Sequence, residues 1–141
     1  TFGASAPVGV EQAQPRHFPP GFDVAAFERQ AKVSFIRLQA ANDAGDLNDI
    51  RDYTTPELYG EIALQIQERG GAKQRVEVMQ LQAQLLEVVT EGEREIASVQ
   101  FSGLIREDEN AGAEPLNEVW HVVKDANDAK SPWLIAGIQQ N

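Results

Sequence analysis

Two side chains in the second half of the chain, His121 and Glu118, come closest to an acid–base pair. A histidine general base needs a carboxylate or a similar group beside it to set its tautomer and orientation. The segment around His121 alternates apolar and polar residues as a strand does, and positions three apart on a strand face opposite sides. We therefore predict that His121 is a structural or exposed histidine. The other histidine, His17, lies in a Pro-rich stretch and is predicted to be solvated.

Four aspartates, Asp43, Asp46, Asp49 and Asp52, recur at every third position and could suggest a calcium site. An EF-hand loop needs oxygen ligands at alternating positions, a glycine at its sixth position and a closing glutamate, and the sequence after Asn42 lacks this pattern. We predict instead a helix cap at Asp46 and solvated carboxylates at Asp49 and Asp52. No cysteine is present, which excludes thiolate chemistry, and the sequence shows no nucleophile elbow or phosphate-binding loop. We predict no catalytic residue, no metal and no cofactor.

The charge of the chain argues against nucleic acid as a partner. Its 141 residues carry a formal net charge of −10, and an acidic surface repels a phosphate backbone. Residues 1–38 hold four basic and three acidic side chains, whereas residues 39–141 hold eight basic and nineteen acidic ones. Only the N-terminal part is therefore expected to approach an anionic surface.

The sequence contains no apolar run long enough to cross a membrane. The only methionine is Met79, so Thr1 is not expected to be a translation start. We expect the chain to be a piece of a larger protein, with any membrane anchor upstream of it.

The residues from Arg75 to Ile105 predict two long strands joined by a tight turn. The first, Val76 to Val89, is rich in β-branched and aliphatic residues, and the second, Glu95 to Ile105, alternates apolar and polar residues. Thr90 to Glu93 is polar and contains Gly92, which suits a hairpin turn. At about 3.3 Å per residue the first strand would span about 45 Å, so it must bend to cover a small core.

The apolar residues of this first strand change faces twice, as β-bulges would allow. One face is predicted to hold Val76 and Val78, and the other face Met79, Leu81, Ala83 and Leu85. Leu86 and Val88 are predicted to return to the first face. Because bulges bend a strand, we predict a curved sheet whose concave face forms a binding surface.

Three helices are predicted ahead of the hairpin. Asp23 and Asp46 stand at N-cap positions, and Thr55 caps a third helix that has Pro56 in its first turn. The first helix is predicted to end near Gly45. It carries an apolar line of Val24, Phe27, Ala31, Phe35, Leu38 and Ala41 and a second apolar line of Val33, Ile36 and Ala40. The wide stripe predicts packing against two neighbours, and the residues left outside are Glu28, Arg29, Lys32 and Gln39.

Two more strands, Leu116 to Lys124 and Trp133 to Gln139, follow the hairpin. Three helices and then four strands with hairpin-length connections predict an α+β fold, with the N-terminal helices packed on one face of a curved four-stranded antiparallel sheet. Residues 1–21 are rich in proline and glycine and are predicted to be a linker, which leaves 22–141 as one domain.

Several short stretches in this order resemble the Tim44-like domain family. They are Phe22-Asp23, Gly45-Asp46-Leu47, Thr55 to Tyr59, Glu118-Val119-Trp120 and Trp133 to Gln140. The resemblance extends from about Phe18 to Gln140. It implies helices against a strongly curved sheet, similar to NTF2-like or cystatin-like folds, with a sizeable apolar pocket. Relatives associate with the inner membrane as scaffolds or binding modules, and bacterial members often carry an anchor helix upstream.

We therefore expect a non-enzymatic, membrane-associated binding or scaffold module at a bacterial inner membrane, linked to protein translocation. Its concave pocket is expected to hold an apolar ligand, a lipid or a polypeptide segment, and a protein partner is a further expectation. The candidate pocket residues are Phe35, Tyr59, Phe101, Trp120 and Val122. The candidate membrane or partner contacts are Arg29, Lys32 and Arg37.

Two alternatives stay open at the level of sequence. One is a structural role in homo-oligomeric assembly through a free sheet edge, and both a monomer and a homodimer are compatible with the sequence. The other is an enzyme of the NTF2-like type, with His121 as the only interior histidine that could act as its base.

Overall fold

The computed structural model describes residues 18–141 as three helices followed by four strands. The helices are α1 (Val24–Ala44), α2 (Leu47–Tyr53) and α3 (Pro56–Glu68), and the strands are β1 (Glu77–Glu91), β2 (Arg94–Arg106), β3 (Glu114–Asp125) and β4 (Leu134–Gln140). The predicted α+β fold, with the helices packed on a four-stranded antiparallel sheet, is confirmed. Residues 1–17 of the predicted linker lie outside the described residues. Phe18, just after them, packs partly buried against the core.

Each helix begins at the cap that the sequence predicts. Asp23, Asp46 and Thr55 accept a hydrogen bond from the backbone N–H three positions ahead, at 3.0, 3.1 and 3.4 Å. A cap of this kind satisfies one of the four N–H groups that a helix start leaves without a partner. Gly45 ends α1 with a φ of 70°, a backbone conformation that glycine adopts without strain.

The four strands are hydrogen-bonded in their order along the chain, β1-β2-β3-β4. The pairing of β1 with β2 shifts register between Val78 and Gln80 and again between Leu85 and Glu87. These are the two places where the sequence predicts a change of face, so both bulges are confirmed. The prediction that Met79 shares a face with Leu81 is wrong, because the first bulge turns Met79 outward and leaves it 46% exposed.

The bulges keep one face of β1 apolar along its whole length. The core-facing residues of this strand are Val78, Leu81, Ala83, Leu85 and Val88. Each bulge also bends the strand and increases its twist, so a strand of 15 residues can follow a small core.

The core lies between α1 and the sheet. Phe35 on α1 is 3% exposed and packs against Phe101 on β2 and Trp120 on β3. The second apolar line of α1 is not part of this core, since Val33 and Ile36 are 50% and 45% exposed. The helix does pack against two neighbours, the sheet and α2, but the expectation that its second apolar line is needed for this packing is wrong.

Two carboxylates of α1 hold it along β1. Glu28 Oε2 accepts a hydrogen bond from the Leu85 amide at 2.8 Å, beside the second bulge. Asp43 Oδ2 accepts one from the Val76 amide at 3.0 Å, and its other oxygen accepts one from Gln39 at 2.9 Å. Glu28 and Gln39 are half-buried by these contacts, so the prediction that they lie outside is wrong.

Candidate ligand-binding pocket

A cavity of about 360 Å³ lies between the N-terminal half of α1 and the core-facing side of the sheet. Most of its lining is apolar or aromatic. The lining residues are Phe22, Asp23, Ala26, Phe27, Gln30, Ala31, Ser34, Tyr53, Val99, Phe101, Trp120, Val122, Trp133 and Ile135. We call this cavity the apolar pocket. Its size is within the range of about 300 to 1,000 Å³ that is usual for small-molecule sites.

The floor of the apolar pocket is a rigid aromatic cluster. The rings of Phe101 and Trp120 meet edge to face with their centroids 4.9 Å apart. Phe35 stacks on Trp120 at 5.0 Å and lies 4.8 Å from Phe101. Tilted and edge-to-face pairs at these distances are favourable beyond the area that they bury, so the floor is held in one arrangement.

The opposite side of the apolar pocket is formed by a second group of aromatic rings. Phe27 lies between Phe22 and Trp133, with centroid distances of 5.5 and 5.3 Å. All three rings are half-buried, and Lys124 Nζ lies 5.8 Å from the centre of the Trp133 ring. Phe22 precedes the cap of α1, so the segment that leads into the helix also closes one side of the pocket.

Few polar side chains line the apolar pocket, and they belong to Asp23, Gln30, Ser34 and Tyr53. The Asp23 carboxylate already accepts a hydrogen bond from the Ala26 amide at 3.0 Å. Residues 18–141 contain no group of three or more His, Cys, Asp or Glu side chains that could hold a metal ion. The described lining is therefore suited to burying an apolar group and to hydrogen-bonding a polar end.

A second cavity, of about 330 Å³, lies on the other side of Trp120. It is more polar, and its lining includes Glu61, Gln65 and Glu118. The Trp120 indole N–H donates a hydrogen bond to Glu118 Oε1 at 2.9 Å. Trp120 thus forms the wall between the two cavities, and Glu118 holds the indole ring in that position.

The structure places the predicted pocket residues in three different settings. Phe101, Trp120 and Val122 line the apolar pocket, and Phe35 packs behind them in the core. Tyr59 lies elsewhere: its hydroxyl accepts a hydrogen bond from Arg51 at 2.9 Å, and the same guanidinium stacks on its ring.

Sequence reasoning did not identify Tyr53, Phe27 and Trp133 as lining residues, although they contribute much of the aromatic surface. Helical spacing places Phe27 in the apolar line of the first helix, and a helix that packs on a sheet ordinarily fills the space beneath it. Tyr53 is adjacent to Thr54, which bridges in parallel to Ile135 on β4. This contact between distant parts of the chain places Tyr53 over the sheet and has no signal in the local sequence.

The three predicted membrane contacts divide into two groups. Arg29 and Lys32 are exposed on α1, next to the exposed apolar side chains of Val33 and Ile36. Arg37 is exposed too, but its guanidinium lies 3.3 Å from Asp49 on α2 and 4.8 Å from the centre of the Tyr53 ring. Arg37 therefore joins α1 to α2, while Arg29 and Lys32 face solvent.

His121 lies on the face of the sheet opposite the helices. Its Nδ1 lies 3.0 Å from Ser98 Oγ, and its Nε2 lies 3.0 Å from Gln139 Oε1. Because the Gln139 amide oxygen accepts a hydrogen bond from Nε2–H, the neutral ring carries no proton on Nδ1. Nδ1 therefore accepts a hydrogen bond from the Ser98 hydroxyl. Glu118, as its spacing predicts, is on the other face, bonded to Trp120. The two residues do not form an acid–base pair.

None of the helices in residues 18–141 is long and apolar enough to cross a membrane.

Comparison with known proteins identifies the family. No curated protein matches the chain. A family model described as the Tim44-like domain matches residues 10–140, nearly the whole of the sequence. Together with the three helices on a four-stranded antiparallel sheet, this match shows that the chain belongs to the Tim44-like domain family.

Proposed function

We propose that this domain is a non-enzymatic, membrane-associated binding module, and that its apolar pocket holds a lipid chain or another apolar ligand, including an apolar polypeptide segment. The Tim44-like family is linked to membrane association and protein translocation, which supports the setting but does not define the ligand. Phe101, Trp120 and Val122 are the proposed floor contacts. Phe35 supports the floor from behind, and Tyr59 has no proposed part in the pocket.

One observation carries this proposal: an apolar cavity of about 360 Å³ lies between α1 and the core-facing side of the sheet, with aromatic side chains in its lining. Protein interiors leave few voids larger than a water molecule, and each void forfeits dispersion contacts. A cavity of this size that opens beside aromatic side chains has the character of a binding site. Filling it would restore those contacts, and this gain favours an apolar occupant.

The exposed part of α1 supports a position next to a membrane. Arg29 and Lys32 are exposed there with Val33 and Ile36, which combines cationic and apolar side chains on one helix surface. We call these four residues the α1 surface. Helices that lie at a bilayer interface use the same combination, with cations near the lipid phosphates and apolar groups in the boundary layer. The α1 surface is next to the pocket, since Ala31 and Ser34 of the same helix line it.

Tryptophan fluorescence tests the pocket directly, because both tryptophans of the chain line it. A long-chain fatty acid that carries bromine atoms quenches an indole only at close contact. We expect saturable quenching by the brominated acid and none by its unbrominated counterpart. An apolar peptide that relieves the quenching would favour a polypeptide occupant, whereas the absence of any quenching would contradict a lipid-binding pocket.

A pair of neighbouring variants separates the pocket from the surface of α1. Ala26→Leu adds three carbon atoms to the lining and is expected to weaken the binding of the fatty acid about tenfold, since overfilling costs about 1 to 3 kcal/mol. Ala25→Leu makes the same change at the next, exposed position and is expected to leave binding unchanged. Equal effects of the two variants would place the ligand outside the pocket.

A further inference from the structure

A band of apolar side chains crosses the face of the sheet that the helices leave uncovered. In the strand register, Val89 pairs with Ile96, Ile96 with Val123, and Val123 with Leu134. All four residues are half-buried, and they alternate with core-facing neighbours such as Val88, Ala97, Val122 and Ile135. They therefore form one row across all four strands. We call the side of the sheet that carries this row the outer face.

The middle rows of the outer face are mostly polar but uncharged. On one side of the apolar row, the next two rows contain Glu87, Ser98, His121 and Gly137, then Gln84, Gln100, Val119 and Gln139. Glu87 is the one charged residue among them, and the other charges stand at the two ends of the face, at Glu91, Arg94 and Asp125 and at Glu77 and Arg106. With two basic and four acidic side chains, the outer face carries only a small share of the net charge of −10.

Five polar side chains of the outer face hydrogen-bond to one another. Ser98, His121 and Gln139 form a chain of hydrogen bonds across β2, β3 and β4, each 3.0 Å long. Gln100 donates to Asn117 at 3.2 Å in the same plane. Polar side chains that are hydrogen-bonded within their own surface can lose water without leaving donors or acceptors unpaired. This face can therefore be covered at a low desolvation cost.

From these features we propose that the outer face is a contact between two copies of this chain. Two identical chains of net charge −10 repel each other wherever acidic surfaces meet, and the middle rows of the outer face, in which Glu87 alone is charged, let them approach with little of that repulsion. An apolar row that crosses all four strands can also meet its own copy across a twofold contact between identical chains. The contact leaves the apolar pocket and the α1 surface accessible in each copy, because both lie on the other side of the sheet.

The area of the outer face approaches that of a standard interface. Its strands have 15, 13, 12 and 7 residues, so at about 3.3 Å per residue and about 4.8 Å between strands the face presents roughly 700 Å². Specific interfaces bury about 800 Å² per partner, and sheets pack face to face about 10 Å apart in the same manner.

Pairing through the strand edges is less favourable than contact through this face. The Leu85 amide at the edge of β1 is bonded to Glu28, and the Ile135 carbonyl at the edge of β4 accepts a hydrogen bond from the Thr55 amide at 2.9 Å. The edge of β1 is therefore interrupted near its middle, and the edge of β4 near its start, by groups from the helical layer. A second copy that added a strand would have to break these bonds.

Sedimentation equilibrium of the full chain tests the proposal. We expect a mass approaching twice the 15.5 kDa of one chain in the high micromolar range. Val123→Glu places a charge in the apolar row and is expected to weaken the dimer at least about tenfold, because like charges are then brought together across the contact. Ile96→Lys, in the neighbouring strand, repeats the test with the opposite charge. Thermal unfolding of each variant checks that the fold is intact.

Leu64→Glu is the matched control, since Leu64 is an exposed leucine (54%) on α3, away from the outer face. It is expected to leave the dimer unchanged.

A photo-cross-linking residue at position 119 is expected to link two copies through their outer faces. A monomeric mass at every concentration overturns the proposal. A dimer that Leu64→Glu weakens as much as Val123→Glu, or a mass above that of a dimer, overturns it as well.

Discussion

At the scale of single residues, Gly103 on β2 allows the first bulge of β1 to form. It pairs with Leu81, in the second pair after the register shift, and its φ of 152° is rarely adopted by residues with a side chain. A Cβ at this position would overlap the backbone carbonyl of Gln80. Because both groups are backbone atoms of paired strands, neither can move aside without disturbing the sheet.

We predict that Gly103→Ala lowers the free energy of unfolding by at least about 2 to 3 kcal/mol, since a steric overlap adds to the conformational strain. Urea denaturation measures the change. Gly60→Ala is the control, because Gly60 lies within α3 with open space around it. That substitution should stabilise the protein by about 0.5 to 1 kcal/mol, as alanine is favoured over glycine in a helix. A similar effect of both substitutions would contradict this account of the bulge.

At the scale of elements, α1 serves three purposes. Phe35 and Leu38 pack into the core, and Ala26 and Ala31 line the pocket. Glu28, about two turns before Phe35 on the same side of the helix, lies along β1 and accepts the hydrogen bond of the Leu85 amide. The helix thus completes the edge of the sheet as well as covering its face.

We predict that Glu28→Ala destabilises the protein by about 1 kcal/mol, because it leaves the Leu85 amide without this acceptor. Hydrogen exchange of the Leu85 amide should become faster in the variant. Glu28→Gln keeps a side-chain oxygen within reach of the amide, so its stability and its exchange rate at Leu85 should lie between those of the wild type and Glu28→Ala. Arg29→Ala, an exposed change one position along, should not alter exchange at Leu85. Unchanged protection in Glu28→Ala would mean that the amide has another partner.

The order of the elements could be predicted from the sequence because their ends carry local signals. Asp23, Asp46 and Thr55 are caps that act within one helical turn, and the bulges of β1 appear as breaks in its alternation. The contacts that define the pocket could not be predicted in the same way. Trp133 reaches Phe27 across more than a hundred residues, and no local pattern encodes that contact.

The difference between Arg37, which pairs with Asp49, and Arg29 and Lys32, which face solvent, also depends on contacts between distant parts of the fold. All three are basic residues of one helix, and only the position of Asp49 on α2 pairs one of them. Helical spacing predicts which residues share a side of a helix, whereas the neighbour on that side depends on tertiary packing.

At the scale of the whole molecule, the charge distribution determines how the domain can meet a membrane. The chain carries −10 overall, so an anionic bilayer repels most of its surface. Arg29 and Lys32 give the α1 surface a local positive charge beside Val33 and Ile36. Approach with this side towards the lipid is therefore the favoured orientation.

We predict that Arg29→Glu combined with Lys32→Glu lowers binding to vesicles that contain anionic lipid by about tenfold or more, since each cation near such a surface contributes about 1 kcal/mol. Flotation with vesicles of stated composition measures this. The control pair, Arg94→Glu with Lys130→Glu, makes the same change in net charge at two exposed sites away from α1. Equal losses in both pairs would mean that net charge, and not the α1 surface, governs binding. Added salt should weaken the wild-type interaction.

The bond between Glu28 and the Leu85 amide restricts how the domain can use its first helix. If α1 detached from the body to sink into a bilayer, the 15-residue edge of β1 would lose its acceptor and stand open to other chains. An uncovered strand of that length is a template for fibrous aggregation. On the proposed function, the helix would meet lipid while still docked, and recruitment to a membrane would orient a folded body rather than unpack it.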